Sequence, residues 1–395
     1  MKNRLIPTTI DEITTEWLSG ALARSGVLKN NSVRTLNRKI IGVGQGYMGT
    51  LAQLSIEYEK PDDTLPSTMI SKIPTKEAKN KMLMEAFWNY EREIRLYEEI
   101  VDQVPIRTPH CYFSDFDPGP GEKRMNTVYG NYGKLPQGLM VFYFIYVGVR
   151  NLMRKRRYIL LFEDFSNLEQ ISHKDGCSYE DVKMAMKPLG IAHAALWESP
   201  LLNKYWLNDH ADFSNMLGFI SGRWQPVIKK WFSEKVSEKG KEVFIWLKNN
   251  NKKLDDYTKT RPHTLIHTDF RLDNIFFDRG KNEIALVDWQ ATCPGMGLFD
   301  PAFFILNNCS NPITPKQAEE LIAIYHQGLV EGGVSNYSLD ECMSDYPYGL
   351  LLAIRYWLII LGGVEVEKDP NAKELFDRLL DRMKPMIEAI DLPSL

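Results

Sequence analysis

His267, Asp269 and Asn274 stand in the pattern His-x-Asp-x-x-x-x-Asn, and Asp288 closes a short apolar run, Leu286-Val287, fourteen residues after Asn274. These are the groups that phosphoryl transfer from ATP requires. One carboxylate must accept the proton of the attacking hydroxyl, while an amide and a second carboxylate hold magnesium on the phosphates. Asp269 is the expected base. Asn274 and Asp288 are the expected Mg²⁺ ligands, because a hard cation takes oxygen donors. His267 is expected to brace the loop by hydrogen bonds. Any one of these residues could be ordinary turn chemistry, since Asp and Asn side chains bond nearby amides. All four at this spacing point to catalysis.

The elements around them fit. Thr264–Ile266 reads as a strand leading in, Ile275–Phe277 as a strand leading out, and Glu283–Val287 as its hairpin partner across the turn Asp278-Arg279-Gly280-Lys281-Asn282. Upstream, Val33–Ile41 and Thr50–Glu59 read as strands on either side of Gly44-Gln45-Gly46-Tyr47-Met48-Gly49. A Gly-x-Gly-x-x-Gly also marks dinucleotide-binding folds, but there it opens a helix. Here the alternating run Leu51–Tyr58 opens a strand, so Gly44, Gly46 and Gly49 are expected to cover the phosphates of ATP.

Thr68–Pro74 reads as the third strand and carries Lys72, the candidate for the α- and β-phosphates. A helix is expected from Glu77 to Val101, with Phe87, Tyr90, Ile94, Tyr97 and Val101 along one face. Glu93 on that helix is the expected ion-pair partner of Lys72, with Glu91 as the alternative. Tyr158–Phe162 reads as a buried strand ended by Glu163-Asp164, where backbone groups around Glu163 are expected to read the adenine edge.

Elsewhere, an N-terminal helix to Ala23 is expected with Thr9 or Asp11 as its cap. Residues 114–138 read as a long loop before a strand over Leu139–Val149. Arg150–Arg157 holds five basic residues in eight. Its place between two expected strands makes it a solvated hairpin tip rather than a dock for an anionic partner or membrane headgroups. Tyr179–Trp197 reads as a helix with His193 as a hydrogen-bonded core residue. Asp212–Trp231 is apolar-periodic, and Lys235–Asn250 is an amphipathic helix with Val243, Ile245 and Trp246 turned inward. The apolar stretch Gly349–Gly363, interrupted by Arg355, is too short to span a bilayer and reads as a buried helix.

With 395 residues, 44% of them hydrophobic and 25% charged, the chain has ample core for two lobes. A net charge of −3 gives no global field favouring nucleic acid. Five scattered cysteines without a Cys-x-x-Cys spacing suit reduced thiols. Met1–Pro7 has no apolar run behind it, so no signal peptide and a cytoplasmic location are expected. No transmembrane segment and no protein partner are indicated.

The His-x-Asp loop resembles that of the aminoglycoside phosphotransferase and choline kinase superfamily. Phe162-Glu163-Asp164-Phe165, Ile191–Trp197 and Val287-Asp288-Trp289-Gln290 are most similar to the ecdysteroid-kinase-like branch. The resemblance covers roughly residues 35–330. It implies an α+β, protein-kinase-like, two-lobed fold with the active site in the cleft. Residues 1–163 would form a small, mainly antiparallel β N-lobe with the ATP-binding strands, and residues 164–395 a larger helical C-lobe with the catalytic loop and acceptor pocket. The cofactors implied are ATP and Mg, and the acceptor is a small-molecule alcohol, for this branch a steroid-like one. Choline, aminoglycosides and sugars remain alternatives.

Trp289-Gln290 replaces the Phe-Gly of protein kinases. Asp300 follows Asp288 by only twelve positions, too few for a long activation loop, so peptide substrates are not expected. Asp300 resembles the aspartate that caps the catalytic loop in this superfamily, a structural role. Two rival readings are a pseudokinase that binds nucleotide without turnover and a dinucleotide-dependent enzyme. The presence of Lys72, Glu93, Asp269, Asn274 and Asp288 speaks against the first, and only the glycine motif speaks for the second.

Overall fold

The computed structural model describes residues 6–42, 49–119, 121–132, 137–211, 234–363 and 370–393. The chain forms two compact units: Met1–Val101 with Thr108–Thr127 and Gly138–Asn167, and Asp102–Arg107 with Val128–Gln137 and Leu168–Leu395.

The first unit opens with a 3-10 turn, Ile10–Glu12, and helix α1, Thr15–Arg24. The α1 cap is Thr14, whose hydroxyl accepts the Trp17 N–H, rather than Thr9 or Asp11. Strands β1 (Val33–Ile41), β2 (Gly49–Tyr58) and β3 (Thr68–Pro74) follow, then helices α2 (Ala78–Ala86) and α3 (Asn89–Glu99). After β4 (Cys111–Phe116) come helices α4 (Glu122–Tyr132) and α5 (Gln137–Met153), and strand β5 (Tyr158–Glu163). The sheet runs β1-β2-β3-β5-β4, antiparallel throughout.

Period-two alternation decides what each face of this sheet meets. Ile159 and Leu161 of β5 join Leu54, Met69 and Leu22 in one core, while Tyr158, Leu160 and Phe162 join Met84, Tyr90 and Ile94 in another. On β3, Met69 and Ile73 take the first face, which leaves Lys72 on the face that α3 covers.

The helix expected over Glu77–Val101 is two helices. Trp88 adopts φ 54°, a left-handed conformation that no α-helix continues. Arg92 donates to the carbonyl of Phe87 at 3.0 Å, tying the start of α3 to the residue before the break. Spacings of three and four carry across the break unchanged, so periodicity alone does not reveal it.

The loop expected over 114–138 and the strand expected over Leu139–Val149 are replaced by α4 and α5. The apolar run on α5 mixes aromatic and β-branched residues, where periodicity does not separate strand from helix. One side of α5 packs on α2: Gly148 lies against Met82 and Ala86, and Asn151 donates to the Glu85 carbonyl at 2.8 Å. The basic run is therefore no hairpin tip. It spans a helix end and the start of a strand, with Arg156 buried against Glu91 at 2.5 Å and Arg157 paired with Asp117 at 2.8 Å.

In the second unit, strand β6 (Glu169–Gln170) precedes helix α6 (Tyr179–Ala195), which opens with a Ser178/Asp181 capping box. Helix α7 (Glu238–Thr258) follows, then strands β7 (His263–Ile266), β8 (Ile275–Asp278), β9 (Glu283–Leu286) and β10 (Cys293–Met296). The chain continues through helices α8 (Phe299–Asn307), α9 (Pro315–Glu331), α10 (Leu339–Gly363) and α11 (Pro370–Ala389). β8 and β9 form the expected hairpin, and β7 pairs with β10. Helices α6 and α9 cross where a Cβ on Gly190 would meet the Tyr325 carbonyl at 2.2 Å, so only glycine permits the approach.

On α7, Val243 is buried with Phe244 and Leu247, whereas Ile245 points outward at 59% exposure, contrary to expectation. The helical face through 243, 244 and 247 leaves 245 on the far side. Arg355 sits within buried α10 because Asp255 and Asn251 of α7 receive it at 2.7 and 2.8 Å. Among the described residues no helix is long and apolar enough to cross a membrane. The expected segment Asp212–Trp231 lies outside the described residues.

Glu85 of α2 gives a pH signature. Burial raises its carboxyl from 4.5 to about 7, against the opposing charge of Arg156, and the Tyr158 hydroxyl donates to it at 3.0 Å. A raised folded pKa means that the stabilising contribution is complete below the unfolded value and is lost as pH rises through about 7. Urea melts at pH 5 and pH 8 should show Glu85→Gln retaining stability that the native chain loses, by on the order of 3 kcal/mol. Parallel pH profiles for the two proteins would refute it.

Candidate active site

The catalytic loop leaves β7 and is held at its first turn by one side chain. Asp300, fully buried near the start of α8, accepts the backbone N–H of His267 at 2.6 Å and of Thr268 at 3.0 Å. His193 of α6 approaches the same carboxylate through Nε2 at 3.2 Å and contacts the Tyr325 hydroxyl through Nδ1 at 2.8 Å. His193 is thus a bonded core residue, as the sequence suggests. Thr268 takes φ 65°, rare for a β-branched residue. Its hydroxyl donates to the Ala291 carbonyl at 2.9 Å, so both ends of this strained residue are tied down.

Below that turn, Asp269 and Asn274 are bonded directly to each other, and the residue before Asp288 is bonded to Asn274. Asn274 donates from Nδ2 to Oδ2 and to the backbone carbonyl of Asp269, both at 2.9 Å. Val287, immediately before Asp288, donates its N–H to the Asn274 carbonyl at 3.0 Å. The Val287 carbonyl accepts from His267 Nε2 at 3.0 Å. With its proton on Nε2, the His267 ring offers Nδ1 to the Asp269 N–H at 3.3 Å. His267 therefore braces two loops at once, and Asp269, Asn274 and Val287, the residue before Asp288, belong to one network. Asp288 itself adopts φ 64°, which turns the chain out of the β8–β9 hairpin, and Gln290 donates to its Oδ2 at 3.3 Å.

Arg271 is the residue that sequence reasoning missed. Its guanidinium lies 3.0 Å from Asp269 Oδ1 and 3.2 Å from Asp273 Oδ2. Burial works against its charge, but the carboxylates of Asp269, Asp273 and Asp288 together hold its pKa above the ordinary value. The signal was in the motif itself, a cation two residues after Asp269. Tyr356 of α10 lies close enough to matter: burial first, then the charge of Asp269, raises its phenol.

In the first unit, Lys72 and Glu93 meet as expected, with Nζ at 2.8 and 2.7 Å from the two carboxylate oxygens and both side chains largely buried. Glu91, the alternative partner, instead receives Arg95 at 2.8 Å and Arg156. Gly49 opens β2 beside Lys72, whose Cε lies 3.5 Å from the place of a Cβ. Gly44 and Gly46 lie outside the described residues. Glu163 ends β5 with its N–H committed to the His110 carbonyl at 2.8 Å, and its Oε2 accepts the His110 N–H at 3.2 Å.

Residues 227–334 match the model of the phosphotransferase enzyme family. That stretch holds Asp269, Arg271, Asn274, Asp288 and Asp300. No curated protein matches the chain. Among solved structures, an amicoumacin kinase in complex with AMP-PNP, Ca²⁺ and its ligand is similar over 97% of this chain and 98% of its own, at 10% identity and a TM-score of 0.50. A Plasmodium vivax ethanolamine kinase matches over 93% and 87%, at 13% identity and a TM-score of 0.51. A Cryptosporidium parvum choline kinase matches over 95% and 97%, at 12% identity and a TM-score of 0.51. These likenesses establish the α+β kinase-like fold.

The donor set suits magnesium. Because Asn274 spends its amide nitrogen on Asp269, its Oδ1 is the atom left for a cation, and Asp288 supplies a carboxylate. One or two protein oxygens are what Mg²⁺ takes when phosphates and water complete its shell.

Asp300→Ala removes the acceptor of two buried backbone N–H groups, each costing about 1–3 kcal/mol when unsatisfied. A loss of about 3–5 kcal/mol in urea unfolding is expected. Asp300→Asn should also destabilise, because its amide NH₂ must face one of those donors. A change below about 1 kcal/mol in the alanine variant would remove Asp300 from this role.

Proposed function

We propose that this chain transfers the γ-phosphate of ATP, with Mg²⁺, to a hydroxyl of a small molecule. The observation that carries the reading is the network joining Asp269, Asn274, His267 and Val287, which holds Asp269 and Asn274 in register with the chain just before Asp288. Asp269 acts as the base, orienting the acceptor hydroxyl and taking its proton. Asn274 and Asp288 hold the metal, whose charge neutralises the phosphates. Lys72, held by Glu93, binds the α- and β-phosphates beneath a loop formed by Gly44, Gly46 and Gly49. Adenine is read by backbone groups at Glu163 and just beyond, the donor coming from after Glu163 because its own N–H is committed. In this reading residues 1–163 serve the nucleotide, and residues 164–395 serve catalysis and the acceptor. Use of ATP and five free thiols suit work in the cytoplasm.

The acceptor in this reading is a lipophilic, steroid-like alcohol, the class implied by the ecdysteroid-kinase-like resemblance. Ethanolamine kinase and choline kinase, named among the similar folds, represent the competing class of cationic acceptors. Arg271 is the observation that bears on that class, since its guanidinium already pairs with Asp269 and Asp273 and leaves neither carboxylate free to receive the ammonium of such an acceptor. Asp345, the carboxylate nearest the aromatic stretch of α10, is already bonded to Tyr257, Tyr337 and Arg261. Of that stretch (Tyr348–Trp357), Leu350–Ile354 and Trp357 are core and Tyr348 stacks on Tyr257, which leaves Tyr356 as the aromatic near Asp269. Met216–Ile220 and Trp224 lie outside the described residues.

Asp269→Asn should bind ATP and lose about 10²–10⁴-fold in turnover. Turnover within about threefold of the native rate would show that Asp269 is not the base. Asp288→Ala should shift the magnesium titration to higher concentration, and an unchanged requirement would sink its assignment. The acceptor is tested by incubating the protein with ATP and a panel of a sterol-like alcohol, choline and an aminoglycoside, reading the mass gain of one phosphate. Preference for either cation would overturn the lipophilic assignment.

A further inference from the structure

Helix α5 carries its apolar residues on the wrong side for an ordinary surface helix. Leu139, Phe142, Ile145, Tyr146, Val149 and Met153 are all exposed, Phe142 at 72% and Met153 at 75%. Their spacings of three, three, one, three and four place them along one face for nearly the whole helix. The opposite face is the anchored one, through Val147, Gly148 and Asn151 against α2. An amphipathic helix at a protein surface turns its polar side to water. This one turns six large apolar side chains outward, a contiguous patch of the kind that marks an interaction site.

The occupant is indicated by what lies at the end of the stripe. Arg156 and Arg157 of the basic run are held by Glu91 and Asp117, while Arg150, Arg154 and Lys155 are exposed. Arg150 lies 5.8 Å over the Tyr146 ring and donates to its hydroxyl at 2.9 Å, so an aromatic and a cation stand together at the rim of the apolar face. Burial, then the charges of Arg124, Arg150 and Arg156, lower the Arg154 pKa, the mark of a local cationic cluster. The chain as a whole is acidic, at −3, so this cluster is no general surface property. Apolar side chains that reach acyl depth, bordered by cations at headgroup level, are the pattern of a helix lying in a membrane interface. A protein partner would be expected to meet polar hydrogen-bonding groups interspersed along the stripe. Here the stripe is apolar except for the Tyr146 hydroxyl.

We propose that α5 docks the protein on the surface of an anionic bilayer, with Leu139, Phe142, Ile145, Val149 and Met153 among the acyl chains and Arg150, Arg154 and Lys155 at the lipid phosphates and carboxylates. The helix lies on the membrane and does not cross it. The proposal stands independently of the phosphotransferase reading.

Flotation of the full chain with vesicles of phosphatidylcholine containing phosphatidylserine, and with vesicles of phosphatidylcholine alone, tests it. The native chain should float with the anionic vesicles and much less with the neutral ones. Phe142→Asp combined with Met153→Asp should reduce flotation more than about tenfold, with an unchanged melting curve because both side chains face solvent. Arg150→Glu combined with Arg154→Glu should abolish the preference for anionic lipid, and it reads the same question should the first variant fail to fold. Absence of native flotation, or equal flotation by a folded double variant, overturns the proposal. So does a native dimer in solution that Phe142→Asp with Met153→Asp dissociates, since a second copy would then cover the stripe.

Discussion

Two oxygens of one buried carboxylate decide where the catalytic loop begins. Asp300 holds the N–H groups of His267 and Thr268, and the second of those residues sits in a conformation that threonine avoids. Each atom of the loop downstream inherits that turn. The register passes from Thr268 to Asp269, from Asp269 through its carbonyl and carboxylate to Asn274, and from Asn274 through its carbonyl to Val287. His267 closes the circuit by bonding Val287. Because the chain of bonds is closed, a shift at any one residue is felt at the others, which is how short flexible side chains are kept within the tolerances that phosphoryl transfer demands.

The first unit solves a different problem by sheet alternation. Placing Met69 and Ile73 of β3 in one core sends Lys72 to the other face, where α3 supplies Glu93. The break at Trp88 divides what would be a single long helix, so α3 takes its own direction against the sheet while α2 packs with α5. An ammonium and a carboxylate this buried stabilise one another only because both are present, since removal of either leaves an uncompensated charge.

Much of this was legible in the sequence, and the failures have definite causes. The catalytic loop, its hairpin, β3 with Lys72 and the pairing with Glu93 follow from residue type and spacing, because local patterns and the chemistry agree there. Asp300 as a structural cap was likewise readable from its motif. The helix expected as one piece was two because a positive φ at Trp88 leaves apolar spacing intact. Helix α5 was read as a strand because both its faces are apolar, which erases the contrast that period analysis needs. Ile245 was placed inward by composition alone, though Phe244 and Leu247 win the buried face of α7. Arg271 escaped notice because a cation two residues after Asp269 gains its weight only from the three carboxylates that the fold gathers around it.

Those carboxylates carry a consequence for the order of events. Asp269, Asp273 and Asp288 bear three formal negative charges against the one positive charge of Arg271, a local surplus of two. A bare polyphosphate approaching this loop meets repulsion, whereas one that brings a divalent cation carries two positive charges to set against that surplus. On the proposed reading, admission is thereby tied to chelation, since the loop favours the metal-bound form of its anionic ligand. In an arrangement of this kind Arg271 acts as a rheostat, fixing how large the surplus is and so how strictly a naked anion is turned away.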